Sequence, residues 1–329
     1  MSCKISRRSF LKVSGCLMLG SAVSGLLCGA GDPAEGGAAV PTVGGLRVNY
    51  VRAFAKDYGN NFRQMEIHLN IENTNSSAAY FNQENFVPLL GNSRYGGERT
   101  FSGLNKWNGS RYVQDVQLKA GETQTISYIC KLQPEDLSAG LRAVDPAPWS
   151  LTLLYGGQRQ TFTGYRLPDR YSTEYTAGPV ESTVLPSVGG IVLSGFWSSD
   201  LLTQVPSYDL PIYFTMQNSN DTAAQLPFRG VAENGDVLDN FTIRMDGQPR
   251  NHYRLYACTH TSRFTPEEKG HLETLQPQEI CFAETGISLT KDEYSTLYTT
   301  GHTLEITFSY GDESVTVRGN TRTGIFEAI

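Results

Sequence analysis

The chain has 329 residues and a net charge of −6, and it contains no run of clustered Lys and Arg beyond its N-terminal segment. Surfaces that bind nucleic acid need clustered basic side chains, so we expect no nucleic-acid partner. The first 30 residues contain four basic and no acidic residues, so the remaining chain carries a net charge of −10. It has no later apolar stretch of about 18 residues, and we expect no membrane-spanning helix there.

The N-terminus has the features of an export signal. Two adjacent arginines, Arg7 and Arg8, are followed by Phe10 and Leu11 and then by an apolar run from about residue 13 to residue 27. A basic segment followed by a short apolar run is typical of a cleavable leader, here residues 1–30. The pattern resembles bacterial twin-arginine (Tat) signals. The resemblance implies export by the Tat machinery and an extracytoplasmic location.

The leader has two alternative endings. Cleavage after Ala30, where small residues precede the cut, releases a secreted protein. Alternatively, Cys28 is lipidated and holds the protein at the outer face of the cytoplasmic membrane. The Gly- and Ala-rich residues 31–41 then form a flexible tether. Membrane attachment is expected only through such a lipid anchor.

Three cysteines follow the leader: Cys130, Cys258 and Cys281. In an oxidising compartment we expect Cys258 and Cys281 to form a disulfide, because both belong to the same half of the chain. The alternative is three buried thiols. No Cys-x-x-Cys pair is present, so neither interpretation predicts redox chemistry.

An internal repeat organises the rest of the chain. Residues 43–46 (VGGL) recur as 188–191 (VGGI), and residues 73–79 (NTNSSAA) recur as 218–224 (NSNDTAA). Both recurrences lie 145 residues further along the chain. Two matches at one displacement indicate a duplication.

The strand before each Asn-rich turn alternates apolar and polar residues. This period of two predicts a strand with one face in the core and the other in solvent. His68 and Tyr213 are among the residues expected to face solvent. The apolar positions are Ile67, Leu69, Ile71, Ile212, Phe214 and Met216.

Later matches show where the two copies differ. Residues 118–122 recur 157 residues later with Gln278 in place of Gly121, and a closing hairpin begins at residue 149 and again at residue 304. The growing displacement predicts about a dozen extra residues in the second copy, around 241–271. Short helical turns are predicted at 134–141 and 290–298.

Short β runs separated by Asn, Gly, Asp and Ser turns predict an all-β fold of two tandem immunoglobulin-like antiparallel β-sandwich domains. We place the first domain at 42–165, a linker at 166–187 and the second domain at 188–329. The Gly-rich first strand, the Asn-rich turn and the terminal hairpin resemble the telokin-like modules of secreted and lipid-anchored bacterial proteins. The resemblance implies a fold and an extracytoplasmic setting, and it transfers no functional residue.

Residues with metal-binding or catalytic chemistry form no recognised motif. Cys258, His260, His271 and Cys281 carry zinc-type ligands, but their spacing matches no common zinc pattern. Residues 233–236 (ENGD), which precede Asp239, are typical of a hairpin turn rather than a calcium site. We therefore expect no metal, no cofactor and no enzyme activity. An unrecognised hydrolase would need two carboxylates facing each other across a cleft.

Trp107 is the most suggestive ligand-contact residue. It lies in a polar stretch, with Tyr95 and Tyr112 in the same region. Exposed loop aromatics bind sugars or protein partners, whereas the alternative is a tryptophan that covers the core. Trp149 and Trp197 are assigned to cores.

The resulting hypothesis is a non-enzymatic interaction or ligand-binding protein with an unknown protein or glycan partner. The alternative is a carbohydrate-binding accessory protein that uses the loop aromatics.

Overall fold

Alternating apolar and polar residues build an all-β protein, as a computed structural model of the chain shows. Every strand pairing among the described residues is antiparallel. The structure describes residues 41–58, 62–90, 93–94, 99–103, 116–132, 147–166, 175–198, 202–204, 207–226, 228–231, 237–252, 255–258, 270–297 and 300–329.

The first half of the chain forms two larger sheets and one small sheet. Sheet 1 has the strand order β1-β2-β8-β6, sheet 2 has the order β11-β10-β9-β4-β5, and β3 pairs with β7. A short 3₁₀ helix, Gln83–Asn85, precedes β4. The strands are β1 Leu46–Tyr58, β2 Phe62–Asn73, β3 Ala79–Phe81, β4 Phe86–Leu90, β5 Ser93–Arg94, β6 Arg99–Gly103, β7 Val116–Leu118, β8 Thr123–Leu132, β9 Ala147–Tyr155, β10 Gln158–Arg166 and β11 Tyr175–Ser182.

The second half repeats this arrangement. Sheet 3 has the order β12-β14-β23-β20-β21, with β13 also on β14, and sheet 4 has the order β19-β18-β24-β25-β26. Two small sheets pair β15 with β22 and β16 with β17. The elements are β12 Ile191–Ser198, β13 Leu202–Gln204, β14 Ser207–Asn218, β15 Ala224–Gln225, β16 Phe228–Val231, β17 Val237–Asp239, β18 Phe241–Met245, β19 Gln248–Arg250, β20 Tyr256–Cys258, β21 Gly270–His271, β22 Thr274–Leu275, β23 Ile280–Leu289, helix α1 Lys291–Thr296, β24 Thr303–Tyr310, β25 Glu313–Asn320 and β26 Phe326–Ala328.

The predicted repeat is visible in side-chain hydrogen bonds as well as in strand order. Asn73 Nδ2 donates to the carbonyl of Leu118 at 3.0 Å, and Asn218 Nδ2 donates to the carbonyl of Leu275 at 3.0 Å. Both asparagines are fully buried. Each one ties the turn after a long strand to a distant strand, which explains why the Asn-rich motif occurs in both copies.

Each half has its own hydrophobic core between its two larger sheets. In the first half, residues from β2 and β9, including Ile67, Leu69 and Trp149, are buried in one cluster. In the second half, Ile212 and Phe214 belong to the corresponding cluster. The predicted core faces of β2 and β14 and the core position of Trp149 are thus confirmed.

The extra residues of the second copy lie earlier than predicted. Phe81 corresponds to Leu226 at a displacement of 145, whereas the pair Phe86–Leu153 corresponds to Phe241–Phe308 at a displacement of 155. Ten residues are therefore added between Leu226 and Phe241, where β16 and β17 pair. The predicted insertion around 241–271 was wrong in position, because the similarity of β4 and β18 is too weak to see in sequence.

Part of the predicted linker is a strand. Within 166–187, Tyr175–Ser182 forms β11 and pairs with β10 of the first half. The next residues cross to the second half, where the Leu185 N–H donates to the carbonyl of Leu193 at 2.8 Å. Val43–Ile329 consequently forms one compact unit.

One predicted helical turn is confirmed. Helix α1 lies within the predicted 290–298 and begins with a capping box in which Thr290 and Glu293 bond each other's backbone N–H groups. The turn predicted at 134–141 lies outside the described residues. No helix in the described part of the chain is long and apolar enough to cross a membrane.

Candidate functional site

The loop aromatics singled out from the sequence, Trp107, Tyr95 and Tyr112, lie outside the described residues. The leader residues Arg7, Arg8, Phe10, Leu11 and Cys28 also lie outside them. All of these assignments stay predictions.

The predicted disulfide also stays a prediction. In the backbone register Cys258 lies opposite Phe282, the residue that follows Cys281 on β23. Cys281 itself is buried in the second core.

A β-bulge shapes the outer face of sheet 1. The pairing of β1 with β2 shifts register between Val48 and Tyr50, so Asn49 is an extra residue in the strand. A bulge lets two successive side chains lie on the same side of a sheet. Asn49 and Tyr50 are both exposed, while Leu46 and Val51 remain in the core.

Hydrogen bonds connect the polar side chains on this outer face. Asn49 Nδ2 donates to Asn70 Oδ1 at 3.3 Å, and Asn70 Nδ2 donates to Thr125 Oγ1 at 3.0 Å. Arg47 pairs with Glu72 at 3.2 Å, a half-exposed ion pair that contributes little to stability. We call these residues, with the aromatic ring of Tyr50, the Tyr50 patch: Arg47, Asn49, Tyr50, Asn70, Glu72 and Thr125.

Tyr50 gives the patch an accessible aromatic ring. It is 42% exposed, directly opposite Asn70 in the strand register. The Tyr50 hydroxyl lies near Tyr175 on β11. Burial raises the pKa of Tyr175, and the nearby Tyr50 hydroxyl raises it further. An exposed ring beside amide and carboxylate groups that already have fixed partners can contact a ligand with little loss of side-chain entropy.

The corresponding face of the second half is buried in contact with the first half. Trp197, Tyr213 and Phe282 lie on the outer face of sheet 3 and pack with Val87 and Leu154 from the outer face of sheet 2. We call these five residues the junction cluster. Trp197 is therefore buried as predicted, but it lies in the junction cluster rather than in the core of its own half.

The prediction that Tyr213 faces solvent was wrong. Tyr213 is 5% exposed, and its ring stacks on Phe282 with centroids 5.7 Å apart. The alternation of β14 was read correctly, but both faces of the strand are covered because the outer face of sheet 3 contacts the other half. A single strand pattern does not reveal a second covering layer.

An arginine adds a polar contact at this junction. Arg159 on β10 donates to Glu181 on β11 and to Glu327 on β26, each at 2.7 Å. Burial lowers the pKa of Arg159, but the hydrogen bonds that Arg159 donates to Glu327 and Glu181 outweigh it and raise the pKa overall. Arg159 thus links the first half to the last strand of the second half.

A buried histidine forms a second polar cluster. His252 Nε2 lies 2.8 Å from Asp239 Oδ2, and its Nδ1 lies 3.5 Å from Thr285 Oγ1. The order Thr, His and Asp is that of a nucleophile, a base and an orienting acid. However, Thr285 is fully buried and His252 is 4% exposed, so the hydroxyl cannot meet a substrate. This cluster fixes Asp239, at the end of β17, to the sheets.

A third cluster fixes helix α1. His302 Nδ1 lies 2.7 Å from Asp246 Oδ2, and Arg250 forms an ion pair with Glu293. Burial alone would raise the pKa of Asp246, but hydrogen bonds from His302 and from the Thr303 N–H hold it below its usual value. Burial is likewise outweighed at Glu293, where the Thr290 N–H and Arg250 lower the pKa.

The described part of the chain contains no group of three or more His, Cys, Asp or Glu side chains placed to hold a metal ion. No protein-family model matches the chain, and no curated protein matches it. Fold and site together define a mostly β-strand protein with several antiparallel sheets.

Tyr50 was missed at the sequence level. The available signal was the polar alternation of Arg47, Asn70 and Glu72 beside a tyrosine. The bulge at Asn49, which decides that Tyr50 faces outward, leaves no signature in a single sequence.

Proposed function

We propose that this chain is an exported, non-enzymatic interaction protein built from two tandem immunoglobulin-like β-sandwich domains of the telokin-like kind. The separate core of each half and the repeated sheet order support this fold.

One observation carries the proposal. The outer face of sheet 3 packs against the first half, and its repeat equivalent is the outer face of sheet 1. On that face Glu66 and Ser127 are buried, whereas Asn49 and Tyr50 are exposed. At the displacements of the repeat, Tyr213 corresponds to His68, and Phe282 corresponds to Thr125. The second half uses this face to dock on the first half. In the first half the same face carries polar residues and Tyr50. We assign this face as the contact surface for the partner.

Site-specific photocrosslinking tests this assignment. A photoreactive phenylalanine analogue is placed at position 50 of the full chain, and the matched control carries it at position 309. Ser309 is the repeat equivalent of Leu154 and lies on sheet 4. We expect a discrete adduct from position 50, and no such adduct from position 309 or from position 50 in an Asn70→Ala background. Equal labelling at both positions would contradict the proposal.

Export is tested separately. Replacing Arg7 and Arg8 by lysine keeps the charge but removes the paired arginines, so we expect the protein to stay in the cytoplasm. Mass measurement of the exported chain distinguishes cleavage after Ala30 from lipidation of Cys28. Normal export of the double-lysine variant would contradict the Tat assignment.

A carbohydrate ligand is the second candidate. The exposed ring of Tyr50 lies between amide groups, and aromatic stacking combined with amide hydrogen bonds is the chemistry that recognises sugars. A glycan array should then show binding that Tyr50→Ala or Trp107→Ala abolishes. Loss with Tyr50→Ala alone assigns the site to sheet 1, and loss with Trp107→Ala alone assigns it to the loop aromatics, with Tyr95 and Tyr112. Absence of binding by the wild type excludes this candidate.

A further inference from the structure

The cluster around His302 contains a chain of hydrogen bonds that ends on helix α1. His302 Nδ1 contacts the Asp246 carboxylate at 2.7 Å, and its Nε2 contacts Thr296 Oγ1 at 2.9 Å. Thr296 Oγ1 in turn lies 3.0 Å from the carbonyl of Asp292, within the helix. The His302 side chain is 14% exposed, whereas the Asp246 side chain is 53% exposed, so solvent reaches the Asp246 end of this chain of bonds.

The donors in this chain can be counted. A carboxylate only accepts, so Nδ1 must carry a proton and donate to Asp246. A carbonyl also only accepts, so the single hydroxyl hydrogen of Thr296 is used when it bonds Asp292. Nε2 must then donate to Thr296 Oγ1. All three bonds coexist only when both ring nitrogens of His302 are protonated.

Deprotonation at Nε2 changes this count. With the Nε2 proton lost to solvent, Nε2 becomes an acceptor, and the Thr296 hydroxyl must turn towards it. The bond from that hydroxyl to the helix carbonyl is then broken, and the charge attraction between His302 and Asp246 is lost. We propose that His302 is a proton-dependent latch that fastens helix α1 to the β18–β19 turn when doubly protonated and loosens it when neutral. This inference does not depend on the proposed function.

Several charged groups surround the latch. Asp246 and Arg250 face it from the β18–β19 hairpin, Asp292 and Glu293 from α1, and Arg322 from the segment after β25. The pKa values of Asp246 and Glu293 lie below their usual values, so both stay ionised between pH 5 and pH 8. Histidine is the side chain that ordinarily titrates in this range.

The first half provides an internal comparison. At the displacement of 155 residues, Asp246 corresponds to Gly91, and His302 corresponds to Ala147. The latch is therefore an addition of the second copy rather than a requirement of the shared fold.

The test uses the full mature chain and nitrogen-15 NMR. We expect the His302 ring to carry both protons at pH 5 and to keep only the Nδ1 proton at pH 8. Amide protection factors of α1 should fall roughly two- to tenfold across the same transition, since one net hydrogen bond is lost. Thr296→Val removes the hydroxyl and keeps the His302–Asp246 pair, so we expect the pH-dependent fall in α1 protection to become smaller. His68→Gln, which alters the His68–Glu66 pair on sheet 1, is the matched control and should leave the change intact.

Three results would overturn the latch. They are an Nε2-protonated neutral tautomer, α1 protection that is equal at pH 5 and pH 8, and an unchanged pH response in Thr296→Val. The first two are measured on the wild-type protein, so the proposal remains testable even if a variant folds poorly.

Discussion

Gln278 occupies the left-handed backbone position in the second half that Gly121 occupies in the first, with φ of 61° against 72°. The surrounding turns are otherwise the same, because Glu122 accepts from the Lys119 N–H at 2.8 Å and Glu279 accepts from the Gln276 N–H at 2.7 Å. Gln278 Nε2 also donates to the carbonyl of Ser219 at 3.1 Å. This bond helps to hold a residue other than glycine in a conformation that most residues avoid.

Gly121 and Gly44 should differ in how much an added side chain destabilises the folded protein. A Cβ on Gly121 would meet no atom within 4 Å, so Gly121→Ala should cost only the backbone strain of about 1 kcal/mol. A Cβ on Gly44 would lie 2.7 Å from Gly156 Cα, which is backbone and cannot rotate away. We expect Gly44→Ala to cost at least about 2 kcal/mol more than Gly121→Ala in urea unfolding. Equal costs would show that the close approach of the two loops is absent in solution.

Asn73 and Asn218 should be equally important for stability. Replacement by alanine leaves the buried carbonyl of Leu118 or Leu275 without its side-chain donor, and we expect each variant to lose about 2–3 kcal/mol. Thr74 makes an exposed hydroxyl bond to the carbonyl of Gly45, so Thr74→Ala is the matched control and should lose less than about 1 kcal/mol. Unfolding by urea measures all three variants. A mild effect at only one asparagine would contradict the equivalence of the two turns.

Trp197 should couple the two halves through its ring and not through its N–H. Among the described residues Nε1 has no hydrogen-bond partner, so Trp197→Phe should cost less than about 1.5 kcal/mol. Trp197→Ala should cost roughly 3–5 kcal/mol and should separate a single unfolding transition into two, because it removes the centre of the junction cluster. Calorimetry distinguishes these outcomes. A Phe variant as damaged as the Ala variant would mean that the N–H has a partner after all.

Acid should loosen the attachment of α1. Asp246 and Glu293 have folded-state pKa values below their ordinary values of 3.8 and 4.5, so their contribution to stability is full above those values. It is lost as the pH falls below them. We expect Asp246→Asn and Glu293→Gln to reduce the drop in Tm between pH 5 and pH 3, whereas Asp221→Asn, in an exposed turn, should not. An unchanged drop in both variants would contradict this account.

Much of the fold could be predicted because local patterns repeat. The period of two in β2 and β14, the closing hairpins and the short helical turn at 290–298 each depend on patterns of a few residues. The same patterns occur at nearly constant displacements, so the duplication was readable without a structure. The insertion was misplaced because β4 and β18 share a strand position but few residues.

The candidate site was much less predictable. The polar neighbours of Trp107 suggest that it contacts a ligand. Trp107 lies outside the described residues, so this hypothesis stays a prediction. Tyr50 acquires its exposure from a bulge of one residue, and Tyr213 is covered by a surface from the other half of the chain. Both effects depend on contacts between residues far apart in sequence.

Side-chain alternation and turn chemistry are local properties of the chain, so the strands, the turns and the repeat follow from the order of the residues alone. Which outer sheet face is covered depends instead on contacts between residues that are far apart in the chain. Trp197 and Phe282 meet Val87 and Leu154 across the junction, while the equivalent face of the first half is exposed at Asn49 and Tyr50. Burial of an outer face is set by a partner surface, and no single strand pattern contains information about that surface.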